Sequence, residues 1–406
     1  MYIDFAWRYF KAKKSANAIN LISWVTVGVI AFATCCQILV LSVFNGFEDL
    51  VKSLYSSFYT DLKIIPATGK TFILNAAQLT KIHQQKGILQ FSLIAEEKAL
   101  LQNGDAQVVL HLKGVDMAYP HVSGVANKMI AGKYAVGTAD NPLMVVGSGI
   151  QRAAGIMLNP AFGPEQLTII LPKANVTSND PLESLSEGII QPSGSFSIQQ
   201  DFDNSYAITH IDFVKQQMGM KADEFSAVEI KLNPGISIAD SKDSLQKKLG
   251  DTYLVQGRYE QNTSLYNTMK TEKWAIYALL TLILIIAAFN MISALTMLVL
   301  EKKQDIAILQ SMGSTSAQIR KIFLSEGLLL GGIGTMIGVI FASLICFIQL
   351  KFKIIKIQGG SFLIDYFPVK LIATDFLLVM ITAMLITVIA SWLPANKASR
   401  QPLHLK

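Results

Sequence analysis

Residues that could do chemistry are few in this chain of 406 residues. The tripeptide Gly69-Lys70-Thr71 matches the end of a phosphate-binding loop, but Ile64 stands where that loop needs its first glycine. The five histidines, four of them between residues 83 and 210, lack the spacing of metal ligands. We therefore expect no nucleotide site, no metal site and no enzyme activity in this chain.

Any functional residues of this chain must be positioned by its long apolar segments. Residues 19–44, 274–300, 323–350 and 373–394 approach or exceed the ~20 residues that cross a bilayer as a helix. They are arranged one plus three around the more polar residues 45–272. Only 16% of the chain is charged, against about 25% in an average soluble domain. The sequence predicts four transmembrane helices and one large domain inserted after the first.

Basic residues beside the apolar segments predict the orientation. Residues 1–15 mix aromatic and basic side chains, and we expect them to lie along the inner membrane surface. The N-terminal segment, the connection at 301–322 and the C-terminal tail at 395–406 are rich in lysine and arginine, which favours a cytoplasmic location for all three. Residues 351–372 also contain lysines, against this rule, but the first basic flank usually dominates. Cations beside the membrane account for the net charge of +6, so we expect no nucleic acid partner.

The inserted segment, residues 45–272, is predicted to be an α+β domain of two lobes divided near residues 116–142. Runs rich in β-branched residues on either side of Asn103-Gly104-Asp105 predict a hairpin. Other strands and helices alternate along the rest of the segment. Residues 172–194, rich in Ser, Asn, Pro and Gly, are predicted to form a long exposed loop.

Two apolar stripes at helical spacing flank the domain, one after the first apolar segment and one before the second. We expect both helices to continue beyond the membrane as a stalk. The stripes then either pack on the partner helix or line a cavity for an apolar ligand. The residues of this candidate cavity are Phe47, Leu50, Val51, Leu54, Leu265, Tyr266 and Met269.

The connection between the second and third apolar segments contains a short amphipathic helix. The spacing predicts a helix over residues 304–312, with Ile306, Leu309 and Met312 on one face and Gly313 as its C-terminal stop. Ser316 is placed to cap the next helix. An apolar face with a polar rim suits the membrane surface or a groove in a cytoplasmic partner.

Two glycine pairs lie in the third apolar segment. Gly327 and Gly331, and then Gly334 and Gly338, have the small-xxx-small spacing that lets helices approach closely. We expect them to serve packing within the chain in preference to a dimer face.

Several motifs resemble one family. The run Glu-Lys-Lys-Gln-Asp-Ile-Ala-Ile-Leu-Gln-Ser-Met-Gly at 301–313, followed by Gln-Ile at 318 and Glu-Gly at 326, resembles the FtsX-like permeases of ABC transporters. The one-plus-three layout is theirs as well. Asn-Gly-Phe-Glu at 45, Gly-Val-Asp at 114, Val-Gly-Ser-Gly at 146 and Phe-Asp at 202 are similar to the lipoprotein-releasing permeases LolC and LolE. Gln310 departs from the pattern, since many members have a basic residue there.

The resemblance implies a permease subunit in the bacterial inner membrane, with its large domain in the periplasm. A cytoplasmic ATPase subunit would bind ATP and Mg, so this chain would need no cofactor, and a second permease, identical or paralogous, would complete a dimer. Lipoproteins would leave the membrane lipid and pass to a periplasmic carrier. The ATPase contact would be Gln304, Asp305, Ile306, Leu309, Met312 and Gly313, and the carrier contact Pro172, Pro181 and Pro192.

Other functions stay open. An FtsX-type permease transmits a signal that controls a cell-wall hydrolase and moves no substrate, and a MacB-type permease serves efflux. The Asn-Gly-Phe-Glu motif at 45–48 and the segment 172–194 favour lipoprotein release. A lipid-lined path between the stalk helices would distinguish transport from signalling.

Overall fold

The computed structural model describes residues 17–158, 165–174, 184–356 and 366–400, with side chains from residue 21 onward. The chain divides into two compact units. The first unit contains the chain up to Leu50 and from Asn267 onward, and the second is Val51–Tyr266. The predicted surface segment 1–15 and the last part of the predicted tail lie outside the described residues.

Helices and strands alternate along the inserted domain, and long helices flank it. The helices are α1 (Asn17–Tyr55), α2 (Ala76–His83), α3 (Tyr119–Val122), α4 (Ser148–Ala153), α5 (Gln200–Asp203), α6 (Ile211–Met218), α7 (Ile238–Leu249), α8 (Thr263–Glu301), α9 (Lys303–Ser311), α10 (Ser316–Phe352) and α11 (Ala373–Ser399). The strands are β1 (Leu62–Pro66), β2 (Phe72–Ile73), β3 (Ile88–Asn103), β4 (Ala106–Val115), β5 (Met129–Gly132), β6 (Leu143–Gly147), β7 (Leu167–Pro172), β8 (Leu185–Phe196), β9 (Tyr206–His210), β10 (Glu224–Phe225), β11 (Ala227–Leu232) and β12 (Tyr253–Gly257).

Four of the described helices, α1, α8, α10 and α11, are long and apolar enough to cross a membrane. Helices α1 and α8 have 39 residues each. At ~1.5 Å per residue each is about 58 Å long, whereas a bilayer core is ~30 Å thick. The prediction that the two helices flanking the domain exceed the membrane thickness is therefore confirmed.

Glycines of α10 allow it to approach two other helices of the first unit. A Cβ atom at Gly331 would lie 2.2 Å from Cγ2 of Thr387 on α11, and one at Gly338 would lie 2.6 Å from the carbonyl oxygen of Ala31 on α1. Gly327 and Gly334 face the same two helices, opposite Ser391 and Val27. Packing within the chain, as predicted for both glycine pairs, is confirmed.

A ten-stranded sheet is the framework of the second unit. Its order is β12-β1-β11-β3-β4-β9-β6-β8-β5, and β7 pairs with both β3 and β8. The predicted hairpin is β3–β4, with Asn103 opposite Ala106 at the turn. The α+β class is confirmed. A division into two lobes is not, because β5, from the segment where the lobes were expected to separate, joins the same sheet through β8.

The end of α1 packs on an aromatic cluster of the second unit. This aromatic cluster consists of Tyr55, Phe58, Tyr119, Phe196 and Phe202 together with aliphatic neighbours. The rings of Phe58 and Phe202 stack with their centroids 4.3 Å apart. The hydroxyl of Tyr55 donates a 2.6 Å hydrogen bond to Oδ2 of Asp201, so the last turn of α1 is held by apolar and polar contacts.

The prediction of one exposed loop at residues 172–194 is wrong for its second half. Strand β8 begins at Leu185 and pairs antiparallel with β7 and parallel with β6. Small residues there serve packing: Gly188 is buried, and a Cβ atom on it would lie 2.8 Å from the ring of Phe213. The small residues that predicted a loop therefore belong to a strand that packs closely against α6.

Pro192 lies inside β8 and not in a loop. It pairs with Met144 next to an irregularity in the register between β6 and β8. A proline fits a strand at such a place because the regular ladder of hydrogen bonds is already interrupted. Pro172 is the last residue of β7, and Pro181 lies outside the described residues.

Candidate functional site

The predicted amphipathic helix is α9, and both of its ends are defined by local contacts. Nζ of Lys302 lies 3.3 Å from Oδ2 of Asp305 in the first turn, where a carboxylate is favoured by the helix dipole. Gly313 ends the helix at φ +92°, and the N–H of Ser314 donates to the carbonyl of Leu309 at 2.9 Å. Thr315, not Ser316 as predicted, caps the next helix by accepting from the N–H of Gln318.

The predicted apolar face of α9 needs correction. Ile306 is only 2% exposed and belongs to a cluster with Val299, Ile319 and Phe323 of α8 and α10. Leu309 is half-buried, while Met312 is 78% exposed. The three residues therefore do not form one free face, because Ile306 anchors α9 to its own unit.

The apolar surface of α9 that is accessible contains a residue that the sequence did not single out. Ile308 is 58% exposed and lies one helical turn before Met312. Gln304, also exposed, lies one turn before Ile308. The outer face of α9, meaning Gln304, Ile308 and Met312, thus presents two exposed apolar side chains next to a polar one. The sequence does not distinguish this face from the predicted one, because the difference depends on the burial of Ile306.

The residues of the candidate cavity are half-buried in both units. In the second unit, Val51, Leu54 and Leu265 pack against the aromatic cluster. These contacts support the packing interpretation for Val51, Leu54 and Leu265. A cavity lined by the whole predicted set, which includes Phe47, Leu50, Tyr266 and Met269, stays a prediction.

The Asn-Gly-Phe motif after the first apolar segment is explained by contacts within the first unit. Nδ2 of Asn45 donates to Oδ2 of Asp375 at 2.6 Å, and Oδ1 of Asn45 accepts from Nζ of Lys273 at 2.8 Å. A Cβ atom at Gly46 would lie 2.3 Å from the carbonyl oxygen of Pro368. Phe47 meets Phe367 edge to face, with ring centroids 5.7 Å apart.

The motifs inside the inserted domain are also structural. A Cβ atom at Gly147 would lie 2.2 Å from the carbonyl oxygen of Asp203, so only glycine fits there. The carboxylate of Asp203 accepts from the hydroxyl of Ser197 and the N–H of Ile198, each at 2.8 Å. Asp116 likewise accepts from the hydroxyl of Ser92 at 2.6 Å. These motifs therefore hold turns against strands.

The residues with possible chemistry have structural partners. Nζ of Lys70 lies 2.8 Å from a carboxylate oxygen of Glu97, and Thr71 donates to Glu224 at 2.5 Å. The segment after Thr71 enters strand β2, whereas a phosphate loop is followed by a helix N-terminus. Within the described ranges, no three His, Cys, Asp or Glu side chains are grouped so that they could hold a metal ion.

Comparisons with known proteins agree with the motifs. Residues 277–403 match the FtsX-like permease C-terminal family. The chain is 27% identical to the lipoprotein-releasing system transmembrane protein LolC of Neisseria meningitidis serogroup B, over 97% of this chain and 95% of the relative. It is 26% identical to the lipoprotein-releasing system transmembrane protein LolE of Haemophilus influenzae, over 98% of this chain and 97% of the relative.

Among solved structures, the periplasmic region of MacB from Actinobacillus actinomycetemcomitans matches with 14% identity and a TM-score of 0.36, over 52% of this chain and 95% of that chain. The chain thus matches the FtsX-like permease C-terminal family at residues 277–403 and is similar over nearly its full length to the membrane proteins LolC and LolE.

Proposed function

We propose that this chain is the permease subunit of an ABC transporter that extracts lipoproteins from the inner membrane and passes them to a periplasmic carrier. Its four apolar helices are the transmembrane helices, one before and three after the inserted domain. The inserted domain, built on its ten-stranded sheet, stands in the periplasm, and α9 lies in the cytoplasm.

One observation carries this proposal. The similarity to LolC covers 97% of this chain, so it includes the inserted domain. The family match, by contrast, covers only residues 277–403 and does not include the insert. Similarity that continues through the insert therefore favours lipoprotein release over signal transmission or efflux.

The partner on the cytoplasmic side is an ATPase subunit that binds ATP and Mg. Its groove receives the outer face of α9, where Ile308 and Met312 offer apolar surface and Gln304 and Asp305 the polar rim. Leu309, half-buried, supports this face from within, and Gly313 sets the direction in which the chain leaves. A second permease, identical or related, completes the membrane dimer.

The substrate path follows the two apolar stripes. Moving acyl chains out of lipid costs about 0.8 kcal/mol for each CH₂ group, so release needs both ATP and an apolar receiving surface. We assign that surface to the candidate cavity, from Phe47 to Leu54 on α1 and from Leu265 to Met269 on α8. The carrier contact is assigned to residues 172–184, which include Pro172 and Pro181. Pro192 is not part of it, because it is bound in β8.

Photocrosslinking in membranes tests the proposal. A photoreactive residue at Leu54 should capture lipoprotein, identified by mass spectrometry, whereas one at the adjacent exposed Ser53 should capture little. Leu54→Lys would place an ammonium group among acyl chains and should abolish lipoprotein release, with Ser53→Lys as its matched control. Crosslinks from position 54 only to a cell-wall hydrolase or its adaptor would contradict transport and support the signalling function.

A further inference from the structure

Three polar side chains meet where α1, α8 and α11 approach one another in the first unit. Asn45 is buried, with 2% of its surface exposed. Its amide nitrogen donates to Asp375, and its amide oxygen accepts from Lys273. Nζ of Lys273 also lies 3.1 Å from Oδ2 of Asp375. Each helix contributes one residue, so the three contacts link all three helices.

The two charged residues of this group, Lys273 and Asp375, border a cavity of about 140 Å³. Lys273 and Asp375 line it together with the apolar side chains of Leu41, Trp274, Tyr277 and Leu378. The charged pair is partly accessible, with side-chain exposures of 28% for Lys273 and 15% for Asp375. The cavity is therefore an apolar space bordered by an ion pair, at the junction of the three helices.

The contacts among Asn45, Lys273 and Asp375 pair polar and charged groups that are costly to leave unpaired near a membrane. A charge in a transmembrane helix needs a partner of opposite sign, and here Lys273 and Asp375 neutralise each other. The amide group of Asn45 contacts both residues: its nitrogen donates to Asp375 and its oxygen accepts from Lys273. Asn45 therefore cannot move without leaving a donor and an acceptor unpaired. Separation of α1 from α8 would break the Asn45–Lys273 bond, and separation of α1 from α11 would break the Asn45–Asp375 bond.

We infer that Asn45, Lys273 and Asp375 form a polar lock that keeps α1, α8 and α11 closed around the cavity, and that the cavity opens when this lock breaks. The motif residue Asn45 is thus a positioning residue that joins three helices. Its consequence for transport rests on the proposed function: the lock sets how often α1 and α8 separate to admit an acyl chain, and hence the basal turnover of the transporter.

Thiol labelling of the full-length protein in membranes tests the lock directly. A single cysteine replaces Leu378 in the cavity wall, after Cys35, Cys36 and Cys346 have been changed to alanine. The rate of its reaction with N-ethylmaleimide reports opening. Lys273→Met and Asp375→Asn should each raise this rate about tenfold, the factor that corresponds to ~1.4 kcal/mol. Asp375→Asn keeps the shape of the side chain, so it serves if Lys273→Met fails to fold.

A charge exchange and a matched control complete the experiment. The double variant Lys273→Asp with Asp375→Lys should restore slow labelling, because the amide of Asn45 can turn over and serve both partners in the reversed order. Lys370→Met is the control: Lys370 pairs with Asp49 in the same unit, but both side chains are about half exposed. It should leave the labelling rate unchanged.

Two results would overturn the lock. One is labelling at the parent rate in both folded single variants, and the other is labelling of the exchanged pair as fast as that of the single variants. ATP hydrolysis measured with the ATPase partner separates the lock from the proposed function. Fast labelling with raised basal hydrolysis supports both, whereas fast labelling with no associated ATPase supports the lock and contradicts the proposed function.

Discussion

Lys113 and Glu229 form an ion pair inside the sheet of the second unit. Nζ of Lys113 lies 2.6 Å from Oε1 of Glu229, and the two side chains are 2% and 3% exposed. The ammonium group also lies 4.8 Å from the ring centroid of Phe58 and 5.0 Å from that of Tyr119. Because Phe58 lies three residues after the end of α1 and packs in the same aromatic cluster as Tyr55, this pair helps to hold the end of that helix on the sheet.

Breaking this ion pair should destabilise the inserted domain strongly. Lys113→Met leaves Glu229 buried with one charged partner at 3.8 Å, Lys63, and breaking a buried pair costs about 3–5 kcal/mol. The double variant Lys113→Met with Glu229→Met should recover most of the loss, because no uncompensated charge remains. Thermal unfolding of the purified full-length protein measures both. Lys70→Met is the control, because the Lys70 side chain is 77% exposed where it pairs with Glu97, and it should change stability by less than about 1 kcal/mol.

The surroundings of Glu96 predict how the stability of the inserted domain depends on pH. Burial alone would raise its pKa, but Lys63, Lys113 and His111 hold the pKa of this carboxyl below its ordinary value of 4.5. A lowered pKa means that the charged form stabilises the fold above pH 4.5 and that this contribution is lost as the pH falls through the folded-state pKa. Glu96→Gln should therefore lower the melting temperature at pH 7. The difference from the parent should shrink below pH 4.5, and a constant difference down to low pH would contradict this assignment.

Two adjacent glycines of α10 provide a matched test of helix packing. Gly331→Ala would place its Cβ 2.2 Å from Thr387, whereas Gly332 has no atom within 4 Å of the Cβ position. Gly331→Ala should separate α10 from α11 and lower stability in detergent, while Gly332→Ala should be neutral or stabilising by up to ~1 kcal/mol, since alanine favours the helix. Equal effects at the two positions would show that the close approach of α10 and α11 is not required.

The outer face of α9 should be separable from its anchor by mutation. Ile308→Asp adds a charge to the surface proposed for the ATPase groove, at a large desolvation cost when that surface is covered. It should abolish co-purification of the ATPase subunit without changing the melting temperature, and Ser311→Asp on the same helix is the control. Ile306→Ala should instead lower stability by about 2–5 kcal/mol, because it removes a buried side chain. Normal recovery of the ATPase with Ile308→Asp would refute the assigned face.

The connection between β7 and β8 should be dispensable for folding. Pro172 pairs with Leu185 at the strand ends, and the N–H of Lys173 donates to the carbonyl of Ser184 at 2.8 Å. A short Asn-Gly turn in place of residues 175–183 can therefore close the hairpin. The variant should keep its melting temperature and its ATPase partner but transfer less lipoprotein to the carrier. Loss of the folded domain would show that the connection is structural.

The sequence alone determined the features that depend on neighbouring residues. The lengths of the apolar segments follow from composition, the β3–β4 hairpin from Asn103-Gly104-Asp105, and the end of α9 from Gly313. The motif between 301 and 313 likewise carries the family resemblance by itself. Each of these is a local pattern, since hydrophobic runs, turns and helix ends require only a few adjacent residues.

The tertiary structure decided which side chains are available and which are anchored. Ile306 and Ile308 are both apolar residues of α9, and only the packing of Ile306 against α8 and α10 shows that Ile308 faces outward. The segment 185–194 has the composition of a loop, yet it is a strand because β6 and β7 pair with it. Asn45 and Asp375 are 330 positions apart, and no local pattern relates them. Burial and long-range hydrogen bonds arise between elements, so they exist only once the helices and strands have assembled.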